Sequence, residues 1–292
     1  MNPVAVLRLP LSTDLSGFLD LLRRLNVPHR VSEEAGQQVL WVPDAPALAD
    51  EVRSLYQRYP EGDSQHELPA GRQVTPHVRP GFFSQLRATP VTALVLALCL
   101  AVAAATLLGE NLSVIRWLTF VEFRVSGEYA TFSALSDTLA AGQWWRLVTP
   151  MLLHFGILHL AMNALWYWEL GRRIELRQGS WQLLGLTLLF AVFSNFGQYW
   201  WSGPSLFGGL SGVLYGLLGH LWLFQWLAPN PLYRMPRGVL VMMLVWLGLC
   251  MSGFVSALGF GEIANGAHVG GLIIGCVTGL AGGFIARVRR RG

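Results

Sequence analysis

Long uncharged stretches separated by short polar segments fill the chain after residue 88. Between Arg87 and Glu110 lie 22 uncharged residues, opened by Thr89-Pro90, and this pair is typical of a helix N-cap followed by a proline in the first turn. The run 178–233 has 56 residues without Asp, Glu, Lys or Arg, whereas one membrane helix needs only ~20. It must therefore hold two helices, and the Gly-Pro within 200–205 marks the break.

Three further uncharged runs complete the pattern, at 147–168, 238–261 and 263–286. The hydrophobic pattern therefore predicts an α-helical polytopic membrane protein with six transmembrane helices. The predicted spans are about 89–109, 155–174, 181–201, 209–228, 238–258 and 266–286.

The first 59 residues have a different pattern, in which short apolar strands alternate with amphipathic helices. Strands are predicted near 4–9, 28–33 and 38–42, and helices at 13–25 and 46–58. This order predicts a small α+β domain with a ferredoxin-like half-sheet at 1–59. Residues 60–88 are rich in proline and glycine and predict a linker, and 89–292 form the helical domain. Residues 1–59 contain no catalytic constellation, so we interpret them as an accessory domain whose partner the sequence does not identify.

Composition supports a membrane protein and decides its orientation. Only 13% of the residues are charged and 53% are hydrophobic. All 21 basic residues are Arg, and 18 of them fall in the segments that alternate to one side of the predicted spans. By the positive-inside rule both termini should be cytoplasmic. No basic helix with interleaved aromatic residues accompanies the net charge of +4, so nucleic acid is not an expected partner.

Polar side chains inside membrane helices are costly and each needs an explanation. Interhelical hydrogen bonds explain Asn195, Gln198 and His220. Ser211 differs because it stands in Gly208-Gly209-Leu210-Ser211-Gly212, at the start of the fourth span. Free N–H groups and the positive end of the helix macrodipole lie beside a serine in a first helical turn, where an oxyanion can be held.

His268 is the candidate base for Ser211. It opens the sixth span within Asn265-Gly266-Ala267-His268, so both residues lie near the outer start of their helices and at comparable depth. Glycines recur every four residues on both helices and form close-packing surfaces. They include Gly212 and Gly216 on the fourth span and Gly271, Gly275, Gly279 and Gly283 on the sixth. Such contact would bring the imidazole within reach of the hydroxyl, as a serine nucleophile requires.

His159 and Asn163 are four residues apart and share one face of the second helix. Both can donate hydrogen bonds to an anionic tetrahedral intermediate. For His159 to lie at the depth of Ser211, the second helix must begin near 155–156. Residues 147–154 would then form a loop or shallow entry. A polar pair that bonds a neighbouring helix is the structural alternative.

Other hydrolytic mechanisms lack the residues they need. The sequence has no His-Glu-x-x-His string, and His154 and His159 are five residues apart, off a common helix face. Asp137 is the only aspartate after residue 63, so an aspartyl dyad is excluded. No suitable acid lies near His268, which favours a Ser–His dyad whose histidine is oriented by stacking of Tyr215.

These residues, taken together, resemble the rhomboid intramembrane serine proteases of the bacterial GlpG type, over nearly the whole chain. The matching motifs follow in order: Trp145-Arg146, His154, His159-x-x-x-Asn163, Glu175, Gly209-Leu210-Ser211-Gly212 with Tyr215, and Ala267-His268-x-x-Gly271-x-x-x-Gly275.

The resemblance implies a role for each matched position. Ser211 would be the nucleophile and His268 the base and then the acid, while the Ser211 N–H, His159 and Asn163 would hold the oxyanion. Gly209, Tyr215 and Gly271 would support this site. Arg146 would anchor the first outer loop, Glu175 would hold the cytoplasmic end of the second span, and the fifth span with the loop 256–266 would gate lateral substrate entry.

The expected function is cleavage of single-pass or polytopic membrane proteins near the extracytoplasmic end of a transmembrane helix, through an acyl-enzyme. The expected location is the bacterial inner membrane, with the site opening to the outer side. No metal or cofactor is needed. Two alternatives remain: a non-catalytic rhomboid-like protein that binds membrane helices, and a transporter, although internal repeats are not apparent.

Overall fold

A computed structural model describes residues 3–43, 46–62, 81–127 and 129–290, apart from four side chains (Pro46, Phe82, Arg237 and Phe260). The chain divides into two compact units, Met1–Pro80 and Gly81–Gly292. Most of the predicted linker, residues 63–80, lies outside the described residues.

The first unit is a three-stranded antiparallel sheet with two helices. Its elements are β1 (Pro3–Pro10), α1 (Ser16–Arg24), β2 (Arg30–Glu34), β3 (Gln37–Pro43) and α2 (Pro46–Arg58). The strand order is β1-β3-β2, with β3 antiparallel to both neighbours. β1 and β2 are therefore parallel with β3 between them, which is the split βαβ arrangement of ferredoxin-like folds. Phe18, Leu22 and Leu40 are fully buried in its core.

The second unit opens with α3 (Phe82–Ala88) and α4 (Pro90–Ala105). Residues 82–88, expected to belong to the linker, are thus helical. α4 is shorter than the predicted span because Leu107 and Leu108 both have positive φ, 49° and 55°, which no α-helix contains.

A connection of about fifty residues follows α4 and contains only short elements. They are α5 (Leu112–Ile115), the hairpin of β4 (Phe123–Ser126) and β5 (Tyr129–Phe132), and α6 (Leu135–Ala140). Two 3₁₀ turns, Trp144–Leu147 and Thr149–Leu152, lead to the next helix. The predicted loop or shallow entry at 147–154 consists of these turns.

The remaining helices form the core of the unit. They are α7 (Ile157–Gln178), α8 (Ser180–Ser202), α9 (Ser211–Leu227), α10 (Arg237–Met251) and α11 (Asn265–Arg289). α9 lies at the centre, since eleven of its residues are buried. Among the described residues, α8 and α11 are long and apolar enough to cross a membrane by length and composition, while α4 and 238–251 are shorter apolar helices.

Besides α4, helices α10 and α7 differ in length from the predicted spans. α10 ends at Met251 rather than at 258, since Gly253 has φ of +78° and a π-helical turn, Ser256–Phe260, follows. α7 continues to Gln178, beyond the predicted 174. Ion pairs of Glu169 with Arg172 and Arg173, three and four residues on, stabilise the preceding turn, and the helix ends just before Gly179, which has φ of +91°.

Candidate active site

Backbone contact between α9 and α11 builds the site. Gly271 faces the Gly212 carbonyl and Gly275 faces the Gly216 carbonyl, so closely that a Cβ at either position on α11 would overlap that oxygen. No side chain separates the two backbones at these points. The glycine repeats therefore form a helix–helix surface of the kind that small residues allow.

This contact brings Ser211 and His268 together. Ser211 is the first residue of α9 and His268 the fourth of α11, and His268 Nε2 lies 2.8 Å from Ser211 Oγ. His268 is only 5% exposed, whereas Ser211 is half-buried. The hydroxyl can donate its proton to the imidazole when Nε2 is unprotonated, which is the geometry of a serine nucleophile with its base.

The other nitrogen of His268 has no acidic partner. Nδ1 is buried and makes no hydrogen bond among the described residues. Tyr215 instead covers the imidazole, with ring centroids 4.8 Å apart and planes at 44°, and its hydroxyl donates to the Met243 carbonyl oxygen on α10 at 3.0 Å. Ring packing thus orients the imidazole where a triad would use a carboxylate.

His159 borders the same space as Ser211. Gly209 has φ of +128°, and a Cβ built on it would lie 2.7 Å from His159 Nε2 and 3.7 Å from Ser211 Oγ. The Phe155 N–H donates to His159 Nδ1 at 3.4 Å. In the neutral ring this bond leaves the proton on Nε2, the nitrogen that points toward Gly209. Gly209 thus keeps free the space between a donor and the hydroxyl.

Asn163 lies one turn below His159 on α7. It is 4% exposed, and its side-chain nitrogen donates to the His159 carbonyl at 3.0 Å, which leaves a second N–H of the amide. The candidate catalytic and oxyanion residues on α7, α9 and α11 all lie in the first two turns of their helices. Three helix N-termini therefore contribute positive partial charge near one point.

Arg146 belongs to the connection that precedes α7, and its side chain is buried within it. It is 1% exposed and donates to the carbonyl oxygens of Arg116 and Thr119 and to the side chain of Gln143. Burial lowers the pKa of its guanidinium, and the nearby Glu122 carboxylate opposes that shift. The side chain fastens α5 and the following turn to the segment that leads into α7.

Glu175 caps the start of α4 from the far end of α7. Its carboxylate accepts the N–H groups of Val91 and Thr92 at 2.8 Å each, and also the hydroxyls of Thr92 and Ser180. Free N–H groups at a helix N-terminus favour such a negative charge. Glu175 thus joins α4, α7 and α8 at the end opposite to Ser211.

The ring contact between His154 and His159 was not predicted from the sequence. Helical spacing put His154 and His159 on different faces, but His154 lies in the turn before α7, and its ring centroid is 5.1 Å from that of His159. It is 1% exposed, with Nδ1 near the Leu152 carbonyl and Nε2 without a partner in the described chain. Gly156, with φ of +104°, lies directly before the first residue of α7, in agreement with the predicted start near 155–156.

A second glycine contact, between α11 and α8, was also not predicted. A Cβ on Gly266 would lie 2.6 Å from the Gly197 carbonyl oxygen, and one on Gly270 would lie 2.9 Å from that of Phe193. Gln198 accepts the Ala267 N–H at 3.2 Å. α11 is thus held on two sides at the level of His268, and Gln198 forms the interhelical bond proposed for it.

Asn195 and His220 also have hydrogen-bond partners within the second unit. Asn195 donates to the Leu147 carbonyl at 2.9 Å, and His220 contacts Thr278 and Gln178 at 3.1 Å each. In the part of the chain that the structure describes, no group of three or more His, Cys, Asp or Glu side chains could hold a metal ion.

The site has the chemistry of a serine hydrolase set among apolar helices. Two family models match the chain, a Rhomboid domain at residues 141–283 and a Rhomboid N-terminal domain at residues 1–70. The chain is similar to the Rhomboid protease GlpG of Yersinia pestis (strain Pestoides F) and of Yersinia pseudotuberculosis serotype O:3 (strain YPIII). Each is 34% identical over 266 residues, which cover 88% of this chain and 89% of the relative.

The chain belongs to the rhomboid family of intramembrane serine proteases. It is accordingly a hydrolase of the bacterial inner membrane that acts on membrane-protein substrates within the bilayer.

Proposed function

We propose that the protein is an endopeptidase that cuts transmembrane helices near their extracytoplasmic end with a Ser211–His268 dyad. The observation that carries this proposal is the 2.8 Å contact between His268 Nε2 and Ser211 Oγ at the half-buried start of α9. A hydroxyl bonded to a neutral imidazole is the activated form that a serine nucleophile needs.

In the first half of the reaction, Ser211 Oγ attacks the scissile carbonyl carbon as His268 Nε2 takes the hydroxyl proton. The negative charge that develops on the carbonyl oxygen is held by the Ser211 N–H, His159 Nε2–H and the Asn163 amide. The intermediate then collapses to an acyl-enzyme ester, and His268 passes its proton to the departing amine.

The second half hydrolyses the ester with water that enters from the outer side. His268 takes a proton from this water, whose oxygen attacks the ester carbonyl, and the same oxyanion donors act again. When the intermediate collapses, the proton returns to Ser211 Oγ, and the carboxylic acid product leaves.

The substrate must present an extended peptide to this site. A carbonyl within an α-helix already accepts a hydrogen bond and is enclosed by its own side chains. The target helix therefore unwinds near its outer end, at the depth at which α9 and α11 begin. Membrane helices with helix-weakening residues at that depth fit this requirement best.

We propose that α4 and α7–α11 all cross the bilayer, with both termini cytoplasmic. α8 supports this placement, since Trp181 near its start and Trp200 near its end are 85% and 92% exposed. The 19 residue steps from Trp181 to Trp200 rise about 28 Å, close to the ~30 Å hydrocarbon core. Tryptophans prefer the two interfaces of a membrane.

Substrate entry is proposed to occur past α10 and the segment 256–266. Few contacts tie α10 to the site: the Tyr215 hydroxyl bonds the Met243 carbonyl, and the Asn265 amide donates to the Cys250 carbonyl at 3.1 Å. Beyond α10, positive φ at Gly253, Gly259 and Gly261 prevents a continuous α-helix. Displacing α10 would break two side-chain bonds and leave the α9–α11 contact intact.

Labelling with a fluorophosphonate probe tests the nucleophile. Wild type should be labelled covalently, Ser211→Ala should not, and His268→Ala should be labelled at least a hundredfold more slowly because the hydroxyl has lost its base. Ser205→Ala, a change in the loop before α9, is the matched serine control and should label as wild type does.

The same experiment separates the alternatives. A protein that only binds membrane helices, or a transporter, would stay unlabelled although folded. Absence of labelling in folded wild type, or labelling that persists in Ser211→Ala, would refute the proposed dyad.

A further inference from the structure

The ends of α9 and α11 opposite to Ser211 form a groove with a basic wall. Gly283 packs against Leu227, since a Cβ at Gly283 would lie 2.9 Å from that of Leu227. Arg287 and Arg290 follow Gly283 at i+4 and i+7 and so continue the face that packs on α9. Beyond the last turn of α9, no helix of the described residues packs against this face.

The groove has a volume of about 420 Å³. Its apolar wall comes from the end of α9 and the turn after it, and its polar wall from α11. The lining residues are Trp226, Leu227, Ala228, Pro229, Arg287 and Arg290. Trp226 is 70% exposed and stands at the edge of the apolar wall.

The two guanidinium groups have no carboxylate partner among the described residues. After Glu175 the chain has a single acidic residue, Glu262, which precedes α11. Asn265, where α11 begins, is about 33 Å along the helix from Arg287. Among the described residues the two guanidinium groups form one hydrogen bond, from Arg290 Nη1 to the Pro229 carbonyl at 3.1 Å. This bond directs Arg290 into the groove, and within the described chain its other N–H groups and those of Arg287 are available.

We infer that this groove binds the phosphate group of an anionic phospholipid in the cytoplasmic leaflet. Two guanidinium groups match the charge and planar donor geometry of a phosphate, and basic pockets between helices on this side of a membrane suit anionic headgroups. The apolar wall and Trp226 provide the surface for the first part of an acyl chain.

The groove favours an anionic lipid over its zwitterionic counterpart. A choline headgroup brings a positive charge next to two arginines that have no counter-ion, whereas a glycerol headgroup leaves the phosphate charge uncompensated. Helix C-termini favour basic residues in general, but that effect applies equally to Arg289, which does not line the groove.

The inference depends on the membrane placement proposed above and is independent of peptidase activity. Native mass spectrometry of the full chain, titrated with dioleoyl phosphatidylglycerol or dioleoyl phosphatidylcholine, measures it. The first phosphatidylglycerol should bind at least tenfold more tightly than phosphatidylcholine. Arg287→Gln combined with Arg290→Gln should reduce this preference to within twofold, and each single change should lower it at least threefold.

Arg289→Gln is the matched control, because it removes the same charge from the same helix end on another face. It should keep the preference of wild type, and fluorophosphonate labelling should show that every variant is folded.

An unchanged preference in the double variant, or an equal loss in Arg289→Gln, would overturn the inference. Displacement of the lipid by an equal concentration of inorganic phosphate or glycerol phosphate would also overturn it, since the groove would then bind a soluble phosphate.

Discussion

His268 makes one side-chain hydrogen bond, to Ser211, and its other ring nitrogen is buried without a partner in the described chain. A catalytic triad would place a carboxylate there, which fixes the tautomer and stabilises the imidazolium. Here Tyr215 packs on the ring and is itself held by the Met243 carbonyl of α10. The orientation of the base therefore depends on aromatic packing and not on a buried charge.

At the same scale, we expect His159→Ala and Asn163→Ala each to lower turnover about 10–1000-fold, because each removes one oxyanion donor. Turnover is measured on a membrane-helix substrate under saturating conditions. Asn195→Ala is the matched control: Asn195 is a buried asparagine whose amide donates, among the described residues, to the Leu147 carbonyl, so its loss should lower stability but change turnover less than threefold. Full turnover in both site variants would show that α7 does not contribute to the site.

Glycine spacing decides the geometry at the level of helices. α11 touches α9 through Gly271 and Gly275 and touches α8 through Gly266 and Gly270. Two faces of one helix are thus free of side chains at the level of His268. Because the backbones are in contact, a small shift of α11 would change the distance from the imidazole to the hydroxyl directly.

Gly271→Ala tests this contact. The new Cβ would overlap the Gly212 carbonyl oxygen, and a backbone group cannot move aside without separating the helices. We expect a loss of about 1–3 kcal/mol in the free energy of unfolding and at least a tenfold lower rate of fluorophosphonate labelling. Thermal or denaturant unfolding in detergent gives the first quantity and labelling kinetics the second.

Gly185→Ala on α8 is the matched control, since a Cβ there meets nothing within 4 Å. It should leave both quantities close to those of wild type. Equal behaviour of the two variants would mean that the α9–α11 contact is loose in the folded protein.

At the scale of the whole molecule, the chain has two separate hydrophobic cores. One surrounds Phe18 and Leu40 in the first unit, and the other surrounds α9 in the second. All candidate catalytic and oxyanion residues lie within 81–292. We propose that 1–59 is an accessory domain, 60–80 the linker and 81–292 the catalytic domain, because α3 belongs to the second unit.

A shortened chain that begins at residue 81 should accordingly keep the site. It retains α3, and it retains the contacts of Glu175 with the start of α4. We expect its fluorophosphonate labelling rate to be within threefold of that of the full chain in the same detergent. Loss of labelling in a shortened chain that remains folded would assign residues 1–80 a direct part in building the site.

The residues at which the helices end could not be predicted from hydrophobicity. The uncharged runs located α4 and α10, but both helices end before their runs do, where positive φ occurs at Leu107 and Gly253. Apolar composition reports transfer into lipid and carries no information on φ. α7 extends past its uncharged run, where Glu169 pairs with Arg172 and Arg173, and it ends just before Gly179, which has positive φ.

The sequence alone determined the class of the protein and most of its candidate site, because charge depletion, glycine spacing and polar residues in apolar runs are strongly constrained in a membrane. Which side chains and helices lie in contact was decided only by the tertiary structure. The ring contact between His154 and His159, the capping of α4 by Glu175 and the contact of α11 with α8 join residues that no local spacing relates. Their distances follow from how whole helices pack, and packing depends on every side chain in the interface at once.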